Sequence, residues 1–247
     1  MAADLEEHLI TIRKNERDDF RWLNLRKIIK KNIAGHMILD AGCGTGHLTI
    51  ELLKEGYEVT AIDSSPELIH LLRETVKSEN LRLPSFIMDI CNPHDLTVEK
   101  FDTIVCLDVI EHIEGDESVL NIFRDLLKNE GTLILSVPAI KNFFGERDKN
   151  VGHYRRYDKN EITNKVHKAG FDISDIHFWN FIGVIPYFVS EKLFHKPLNE
   201  GIRYSESGKS SKIINMLLNF WFSIFENRVR PPIGLTLIVV CRKKMMA

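Results

Sequence analysis

A glycine-rich loop directly follows an apolar run near the start of the chain. The run 37–39 (Met-Ile-Leu) leads into Asp40–Gly46 (Asp-Ala-Gly-Cys-Gly-Thr-Gly), which has glycine at three alternate positions. Glycine has no Cβ and readily adopts positive φ, so such a loop lets a ligand lie directly against the backbone. The apolar spacing over 47–54 predicts a helix whose N-terminus points toward that ligand. We therefore expect a strand, a loop and a helix built around a binding site.

The spacing of these glycines also separates two kinds of cofactor. A dinucleotide-binding loop has the pattern Gly-x-Gly-x-x-Gly, and His47 occupies the position of its third glycine here. The acidic Asp40 at the end of the strand favours a ligand with positive charge over a pyrophosphate. An NAD-dependent oxidoreductase is therefore the weaker of two enzyme hypotheses for this chain.

Composition argues against several classes of function. With 247 residues, of which 44% are hydrophobic, the chain is long enough for one sizeable core. The formal net charge of −2 gives no basic excess, so no nucleic-acid partner is expected. The four cysteines have no paired spacing, which favours free buried thiols, and no metal site is predicted. The acidic residues 1–7 lack the apolar core of a secretory signal, which favours a cytoplasmic location.

Strand-like and helix-like runs alternate along the chain. Predicted strands lie at about 37–41, 58–62, 86–88, 103–107, 132–137, 172–178 and 235–241, and predicted helices at about 5–32, 47–54, 66–78, 116–128 and 159–169. This alternation predicts a doubly wound, Rossmann-like α/β fold with a largely parallel sheet of seven strands. We expect one domain, with an N-terminal helical segment 1–34, a cofactor-binding core 35–180, a helical insertion 181–232 and a final strand with tail 233–247.

The insertion 181–232 is long for a connection and has apolar content of its own. Its residues 213–225 are apolar nearly all round, but this segment is too short and too often interrupted by Asn and Ser to span a bilayer. One interpretation is a buried helix of the same core or a homodimer contact. The other is a lid over an apolar substrate, or a segment that makes peripheral contact with a membrane surface.

Acidic residues stand at the ends of four predicted strands. They are Asp40, Asp63, Asp89 and the acids of the turn Leu107–His112 (Leu-Asp-Val-Ile-Glu-His). The carboxyl ends of parallel strands meet at one edge of a sheet, and ligands bind at that edge. Asp63 is placed to bind both hydroxyls of a ribose, and Asp89 could accept a hydrogen bond from the amino group of adenine. Each acid alone has a simpler explanation as a helix cap or turn former.

This ordered set resembles the class I S-adenosylmethionine (SAM)-dependent methyltransferases over about residues 35–180. The sequence of Leu107–His112 is similar to that of the small-molecule branch, which includes ubiquinone-type and sugar-tailoring enzymes. The resemblance implies SAM as cofactor and a sheet whose last strand is reversed. It also implies cofactor contacts from the loop and from the ends of strands, namely from Asp40, Gly42, Cys43, Gly44, Gly46, Asp63, Ser64, Asp89, Ile90 and Leu107.

The candidates for the acceptor end of the site lie in two places. Methyl transfer needs the nucleophile, the methyl group and the sulfur in line, and a base can assist the proton loss of a hydroxyl or amine acceptor. His112 follows the fourth strand, and the run Gly152–Tyr157 (Gly-His-Tyr-Arg-Arg-Tyr) follows a long polar loop. The candidate catalytic residues are His112, His153 and Tyr157, and the candidate substrate-binding residues are Tyr154, Arg155, Arg156 and Trp179. The arginines could bind a carboxylate or phosphate, or could form surface ion pairs while the rings only pack the loop.

These observations predict a SAM-dependent methyltransferase that acts on a small-molecule or lipid-linked acceptor, most simply at oxygen. A non-catalytic SAM-binding protein that regulates or scaffolds a partner is the alternative from a different class, because binding and catalysis share the same residues.

Overall fold

The computed structural model describes residues 20–92, 96, 100–194 and 209–245. The strands are β1 Met37–Ala41, β2 Glu58–Asp63, β3 Ser85–Ile87, β4 Phe101–Leu107, β5 Leu127–Pro138, β6 Phe171–Trp179 and β7 Thr236–Lys243. The helices are α1 Phe20–Asn32, α2 His47–Lys54, α3 Pro66–Ser78, α4 Asp116–Leu126, α5 Glu146–Asn150, α6 Lys159–Lys168, α7 Val184–Tyr187 and α8 Lys209–Trp221. The earlier part of the predicted helix 5–32 lies outside the described residues.

All seven predicted strands belong to one sheet, in the order β3-β2-β1-β4-β5-β7-β6. The pairs from β3 to β5 are parallel, whereas β7 is antiparallel to both β5 and β6. The prediction of a doubly wound α/β sheet with a reversed last strand is therefore confirmed.

Several predicted boundaries differ from those of the structure, and three of the differences follow from the strand pairing. Strand β5 begins at Leu127 rather than at 132, because Leu127 already pairs with Phe101 of β4 across a register shift. Helix α4 consequently ends at Leu126 instead of 128. Strand β7 continues to Lys243 rather than ending at 241, because it pairs with strands on both sides.

Alternate residues of the central strands lie on opposite faces of the sheet and belong to two separate layers of the core. On one face lie Ile38, Val105 and Ile134, packed with residues of α1 and α2; on the other lie Leu39, Ile104 and Leu133, packed with residues of α4 and α6. Strands covered by helices on both faces are apolar at consecutive positions, which explains the unbroken apolar runs in the sequence. Cys106 of β4 and Cys241 of β7 are buried in this core as free thiols, as predicted.

Non-glycine residues with positive φ follow three strands at the same edge of the sheet. Asp108 follows β4 with φ 52°, Ile140 lies just beyond β5 with φ 62°, and Asn180 follows β6 with φ 63°. Asn and Asp adopt this conformation at modest cost, but it is strained for a β-branched residue such as isoleucine. The chain therefore turns sharply at this edge, where the polar loops begin.

The helical insertion contains both α7 and α8. Helix α7 continues as a π-helical turn over Phe188–Leu193, and α8 continues in the same way over Phe222–Glu226. Among the described residues, none of the helices has both the length and the apolar content needed to cross a membrane.

The hypothesis that residues 213–225 form a buried helix was correct for only one face. Phe222 is fully buried and contacts the rings of Phe20 and Trp179, with centroids 5.1 and 5.0 Å away. Leu217 and Phe220, by contrast, are 58% and 60% exposed. The side chains at 213 and 214 lie outside the described residues. The segment therefore has apolar side chains on two faces, one packed against the core and the other turned to solvent.

Candidate functional site

The three glycines of the loop after β1 have different surroundings. All have positive φ, with values of 76° at Gly42, 52° at Gly44 and 78° at Gly46. A Cβ at Gly42 would lie 2.3 Å from Val109, and one at Gly46 would lie 2.3 Å from Leu72. A Cβ at Gly44 would meet no described atom within 4 Å. The outer glycines are thus required by packing, and Gly44 leaves bare backbone next to open space.

Asp63 joins this loop to the next strand. Its Oδ2 accepts a hydrogen bond from the amide of Gly44 at 2.8 Å, and its Oδ1 accepts one from the amide of Ser65 at 2.9 Å. The hydroxyl of Ser65 in turn caps α3 by accepting from the amide of Leu68. The carboxylate at the end of β2 therefore fixes the shape of the glycine loop and stands beside its open side.

Asp40 is the buried acid of the same loop. Its side chain is 4% exposed and accepts a hydrogen bond from the hydroxyl of Thr49 in α2. Burial raises the pKa of Asp40 to about 6, the negative charge of Asp63 adds to the rise, and the Thr49 bond opposes it. Positive charge close to Asp40 would restore the ionised form.

A second polar cluster lies where β4 ends. Glu111 is fully buried, and neither of its carboxylate oxygens has a hydrogen-bond partner among the described residues. Its Oε1 lies 3.9 Å from Nε2 of His153, and the ring of His153 meets that of His112 edge to face at 4.6 Å. Burial lowers the pKa of His112 to about 4, and the neighbouring His153 adds to this effect. His112 is therefore neutral at physiological pH.

The loop after β5 presents His153 to this cluster. Nδ1 of His153 lies 3.0 Å from Oδ1 of Asp148, and the His153 amide donates to the Asp148 carbonyl at 2.8 Å. The amide of Tyr154 donates to the carbonyl of Glu111 at 2.8 Å. These contacts fasten the loop to the turn after β4 and direct Nε2 of His153 toward Glu111.

Asp148 also forms a buried ion pair. Its two oxygens accept from Nε of Arg156 at 2.8 and 2.9 Å, and Arg156 also contacts the hydroxyl of Tyr187 in α7. Hydrogen bonds from His153 and Arg156 outweigh the burial of Asp148 and hold the pKa of its carboxyl down at about 2. The network connects the loop to the helical insertion.

Comparison with known proteins decides the family. The profile of a family described as a methyltransferase domain matches residues 39–133, the part that contains the glycine loop, Asp63 and the turn after β4. A ubiquinone biosynthesis O-methyltransferase of Xanthomonas euvesicatoria is 33% identical over 160 residues, which are 58% of this chain and 66% of that protein. The chain belongs to the class I SAM-dependent methyltransferases.

The likeness to other methyltransferases is partial in sequence and broad in fold. A second ubiquinone biosynthesis O-methyltransferase, from Glaesserella parasuis, is 33% identical over 106 residues, which are 41% of this chain and 45% of that protein. The chain thus spans from under half to about two thirds of the length of these relatives. The magnesium protoporphyrin IX methyltransferase of Synechocystis PCC 6803 with bound S-adenosylhomocysteine (SAH) has the same fold, with a TM-score of 0.56, 16% identity, and coverage of 94% of this chain and 85% of that one.

The glycine loop of this methyltransferase fits the cofactor of its family. Bare backbone at Gly44 leaves room for a ligand, and the carboxyls of Asp40 and Asp63 both lie near enough to Cys43 of the loop to act on it electrostatically. SAM carries positive charge on its sulfonium and ammonium groups, and its ribose hydroxyls can donate to a carboxylate. The loop thus supplies both the space and the charge that SAM requires.

The other predicted cofactor residues are spread over the neighbouring strand ends. Asp89 is exposed and accepts from the amide of Cys91, whereas Ile90 is buried in the core. Ser64 is exposed beside Asp63, and Leu107 and Cys43 are half-buried, at the end of β4 and within the loop respectively. Their contacts with SAM stay predictions.

Two predicted acceptor residues are placed as packing residues in the methyltransferase. Tyr157 is fully buried, its hydroxyl donates to Asp116 at 2.8 Å, and burial together with that carboxylate raises the pKa of the phenol. Trp179 is also fully buried, and its indole donates to Asn227. Neither side chain has the exposure that a base or a substrate contact needs.

The other three predicted substrate-binding residues differ in how exposed they are and in which residues they contact. Arg156 is 5% exposed and is occupied by its buried partners, which corrects the prediction that it binds substrate. Arg155 is half-buried, pairs with Asp116 at 2.9 Å and donates to the carbonyl of Glu114. Tyr154 is 55% exposed. It is therefore the residue of this group that is free to meet an acceptor.

Sequence reasoning missed the roles of two acids. Glu111 lies in the motif Leu107–His112, where the sequence assigns it no separate role, and Asp148 lies in the long polar loop that precedes Gly152. The signal for Glu111 was present, because an acid directly after Val109-Ile110 is placed among apolar residues. No such signal marked Asp148, since its partner Arg156 lies eight residues away across an irregular loop.

Proposed function

We propose that this chain transfers the methyl group of SAM to a hydroxyl oxygen of a small or lipid-linked metabolite. The observation that carries this proposal is the placement of an open glycine loop and of a Glu-His-His cluster with a buried carboxylate beyond the ends of adjacent strands, β1 and β4. The glycine loop provides space for a cofactor, and the cluster provides ionisable groups that can act on an acceptor. The names of the Xanthomonas and Glaesserella relatives support oxygen as the methylated atom.

In this proposal the cofactor is held mainly by backbone and carboxylates. Gly44 lets the cofactor lie against the loop, Asp63 binds the ribose while still holding the loop amide, and Asp40 faces the positively charged part. When bound, SAM supplies an electrophilic methyl group on a sulfonium. What the protein contributes is alignment of the acceptor oxygen with this methyl group and exclusion of competing water.

The acceptor's proton is handled by His153. Asp148 orients its ring by accepting from Nδ1–H, which leaves the lone pair of Nε2 directed into the cluster. An imidazole with a free Nε2 can take a proton from a hydroxyl that approaches the methyl group. His112 is a weak base, since its pKa is lowered to about 4.

We also propose that the acceptor has an apolar part that reaches the exposed face of α8. This face is formed by Met216, Leu217 and Phe220, and it is continued by Phe225 of the π-helical turn after α8 and by Ile182 of the loop before α7. A lipid-linked acceptor presented at a membrane surface would place its apolar part on this face and its head group in the site.

Two measurements test the function. Calorimetric titration with SAM and SAH should give micromolar binding that Asp63→Ala weakens strongly. Transfer of a labelled methyl group should then be screened on phenols and catechols with and without an isoprenoid chain. Product labelled at oxygen is the expected result. Tight binding without transfer to any acceptor would favour the non-catalytic SAM-binding alternative, and absence of binding would overturn the proposal.

A further inference from the structure

We infer that Asp40 distinguishes the two forms of the cofactor by changing its own charge, releasing a proton when SAM binds and keeping it when SAH binds. This inference rests on the proposed function, because it concerns the cofactor site of that proposal. SAM differs from SAH by one methyl group and by the positive charge of the sulfonium. An ionised carboxylate near that charge favours the methyl donor over the product, whereas a protonated carboxyl does not.

Asp40 lies at the base of the glycine loop. In β1 it pairs with Ala61 of β2 and with Val105 of β4, so its backbone is fixed within the sheet. Its Oδ2 accepts a hydrogen bond from the hydroxyl of Thr49 in α2. Strand β1 and helix α2 are the two elements that the loop connects. The carboxyl is therefore held between the two ends of the loop whose open position, at Gly44, we assign to the cofactor.

No cationic side chain among the described residues acts on Asp40, although its side chain is only 4% exposed. The ionisable groups that face it are Asp63 at the end of β2, Cys43 of the loop and Cys106 of β4. Burial raises the pKa of both thiols, so they stay uncharged, and Asp63 brings a second negative charge. A buried carboxylate without a cation is costly, so this position favours the arrival of one positive charge.

A proton and a cationic ligand compete as partners of this carboxylate. Burial and the negative charge of Asp63 raise the pKa of Asp40 to about 6, and the hydrogen bond from Thr49 opposes the rise. At pH 5.5 about three quarters of the protein without cofactor therefore carries the proton. The sulfonium of SAM stabilises the ionised carboxylate, so the O–H bond of Asp40 breaks and the proton passes to the solvent. Once methyl transfer has removed the sulfonium charge, the carboxylate takes a proton back from the solvent.

Calorimetric titration of the full chain measures this proton release directly. Titrations with SAM and with SAH at pH 5.5, in buffers of different ionisation enthalpy, give the number of protons released by each. We expect SAM to release up to about three quarters of a proton and SAH clearly less, and at pH 7 the part due to Asp40 should fall to about a tenth of a proton. Affinity for SAM should weaken about tenfold from pH 7 to pH 5, and affinity for SAH should weaken less.

Three variants separate this role of Asp40 from a structural one. Asp40→Asn should abolish the difference in proton release between SAM and SAH. Thr49→Val removes the hydroxyl that favours the ionised carboxylate, so proton release should extend to higher pH. Thr49→Ser is the matched control, because it keeps the hydroxyl and should follow the wild type. The two Thr49 variants decide the matter if Asp40→Asn fails to fold.

Two results would overturn the inference. One is equal proton release on binding of SAM and of SAH by the wild type. The other is a proton release whose pH dependence is the same in the wild type, Asp40→Asn and Thr49→Val. A residue that only stabilised the loop would change the unfolding free energy and leave the proton count unchanged.

The same titrations separate this inference from the proposed function. SAM binding and methyl transfer without proton release from Asp40 would overturn the inference alone. Proton release that depends on Asp40, without methyl transfer to any acceptor, would overturn the proposed function alone. Absence of SAM binding at every pH would overturn both.

Discussion

The cofactor end and the acceptor end of the site are formed by different kinds of interaction. At the cofactor end, short strand–loop–helix units place glycine backbone and the carboxyls of Asp40 and Asp63 next to one another. At the acceptor end, an irregular loop and the helical insertion are joined by the buried pair Asp148–Arg156 and by Tyr187. The first end depends on backbone conformation, and the second on contacts between side chains distant in sequence.

Because of this difference, the cofactor end is the part of the site that members of a family can share, and the acceptor end is the part that can differ between them. A backbone cradle can serve any member of a family that shares a cofactor, whereas side-chain networks can change with the acceptor. Variants at the two ends should therefore have separable effects on stability, SAH affinity and acceptor use.

The largest effect is expected at the acceptor end, for Arg156→Met. Removal of the guanidinium leaves Asp148 buried without its partner, which should cost about 3–5 kcal/mol of unfolding free energy. Urea unfolding measures this loss. Lys168→Met is the control, because Lys168 forms an exposed pair with Glu117, and its midpoint should not change measurably. A loss for Arg156→Met no larger than for the control would show that the network does not stabilise the loop.

The next effect is at the cofactor end and depends on pH. The pKa of Asp40 is raised to about 6, so between about pH 4 and 6 the folded form holds a proton that the unfolded form releases. This contribution is present below about pH 4 and lost as pH rises through 6, a change on the order of 3 kcal/mol. The unfolding free energies of wild type and Asp40→Asn should be measured from pH 4 to 7. Their difference isolates the contribution of Asp40 from those of the other carboxyls. A difference independent of pH would contradict the raised pKa.

A smaller loss of stability, with a large loss of affinity, is expected for Gly44→Ala. Positive φ at this position should cost about 1–2 kcal/mol with an alanine, and the new methyl group would occupy the space proposed for the cofactor. Gly56→Ala is a matched control, since Gly56 also has positive φ and open space but lies in the turn between α2 and β2. Both variants should lose similar stability, but only Gly44→Ala should lose SAH affinity, by tenfold or more. Equal affinities would place the cofactor elsewhere.

The smallest effect on stability is expected on the exposed face of α8. Leu217→Ser combined with Phe220→Ser should change the unfolding free energy by less than about 0.5 kcal/mol, because both side chains are mostly exposed. Sedimentation with lipid vesicles and turnover of an isoprenoid acceptor should both fall, while turnover of the acceptor without the chain and SAH affinity should not. Unchanged vesicle binding and turnover would remove the apolar face from the proposed function.

The strands and loops that form the cofactor end could be predicted from the sequence because their signals are local. Continuous apolar runs, a glycine loop and acids at strand ends are all readable within short windows, and these predicted the seven strands, whereas the reversal of β7 followed from the resemblance to the methyltransferases. The acceptor end was predicted less well because its decisive contacts are between distant residues. The pairing of Arg156 with Asp148 and of Tyr157 with Asp116 depends on how a loop folds back. No periodic pattern in the sequence predicts the conformation of that loop. The exposure of Leu217 was missed for a related reason, since apolar composition does not reveal which face of a helix finds a partner.

The two thiols buried in the sheet give a way to time its opening. Cys106 on β4 and Cys241 on β7 flank β5 on opposite sides, and burial raises the pKa of both thiols. Neither can react with an alkylating reagent until its own strand is exposed, since the thiolate is the reactive form. Mass spectrometry can follow the labelling of the two positions separately. The two labelling rates thus measure how fast β4 and β7 each become exposed. They would report whether the parallel and the antiparallel sides of the sheet come apart together or in turn.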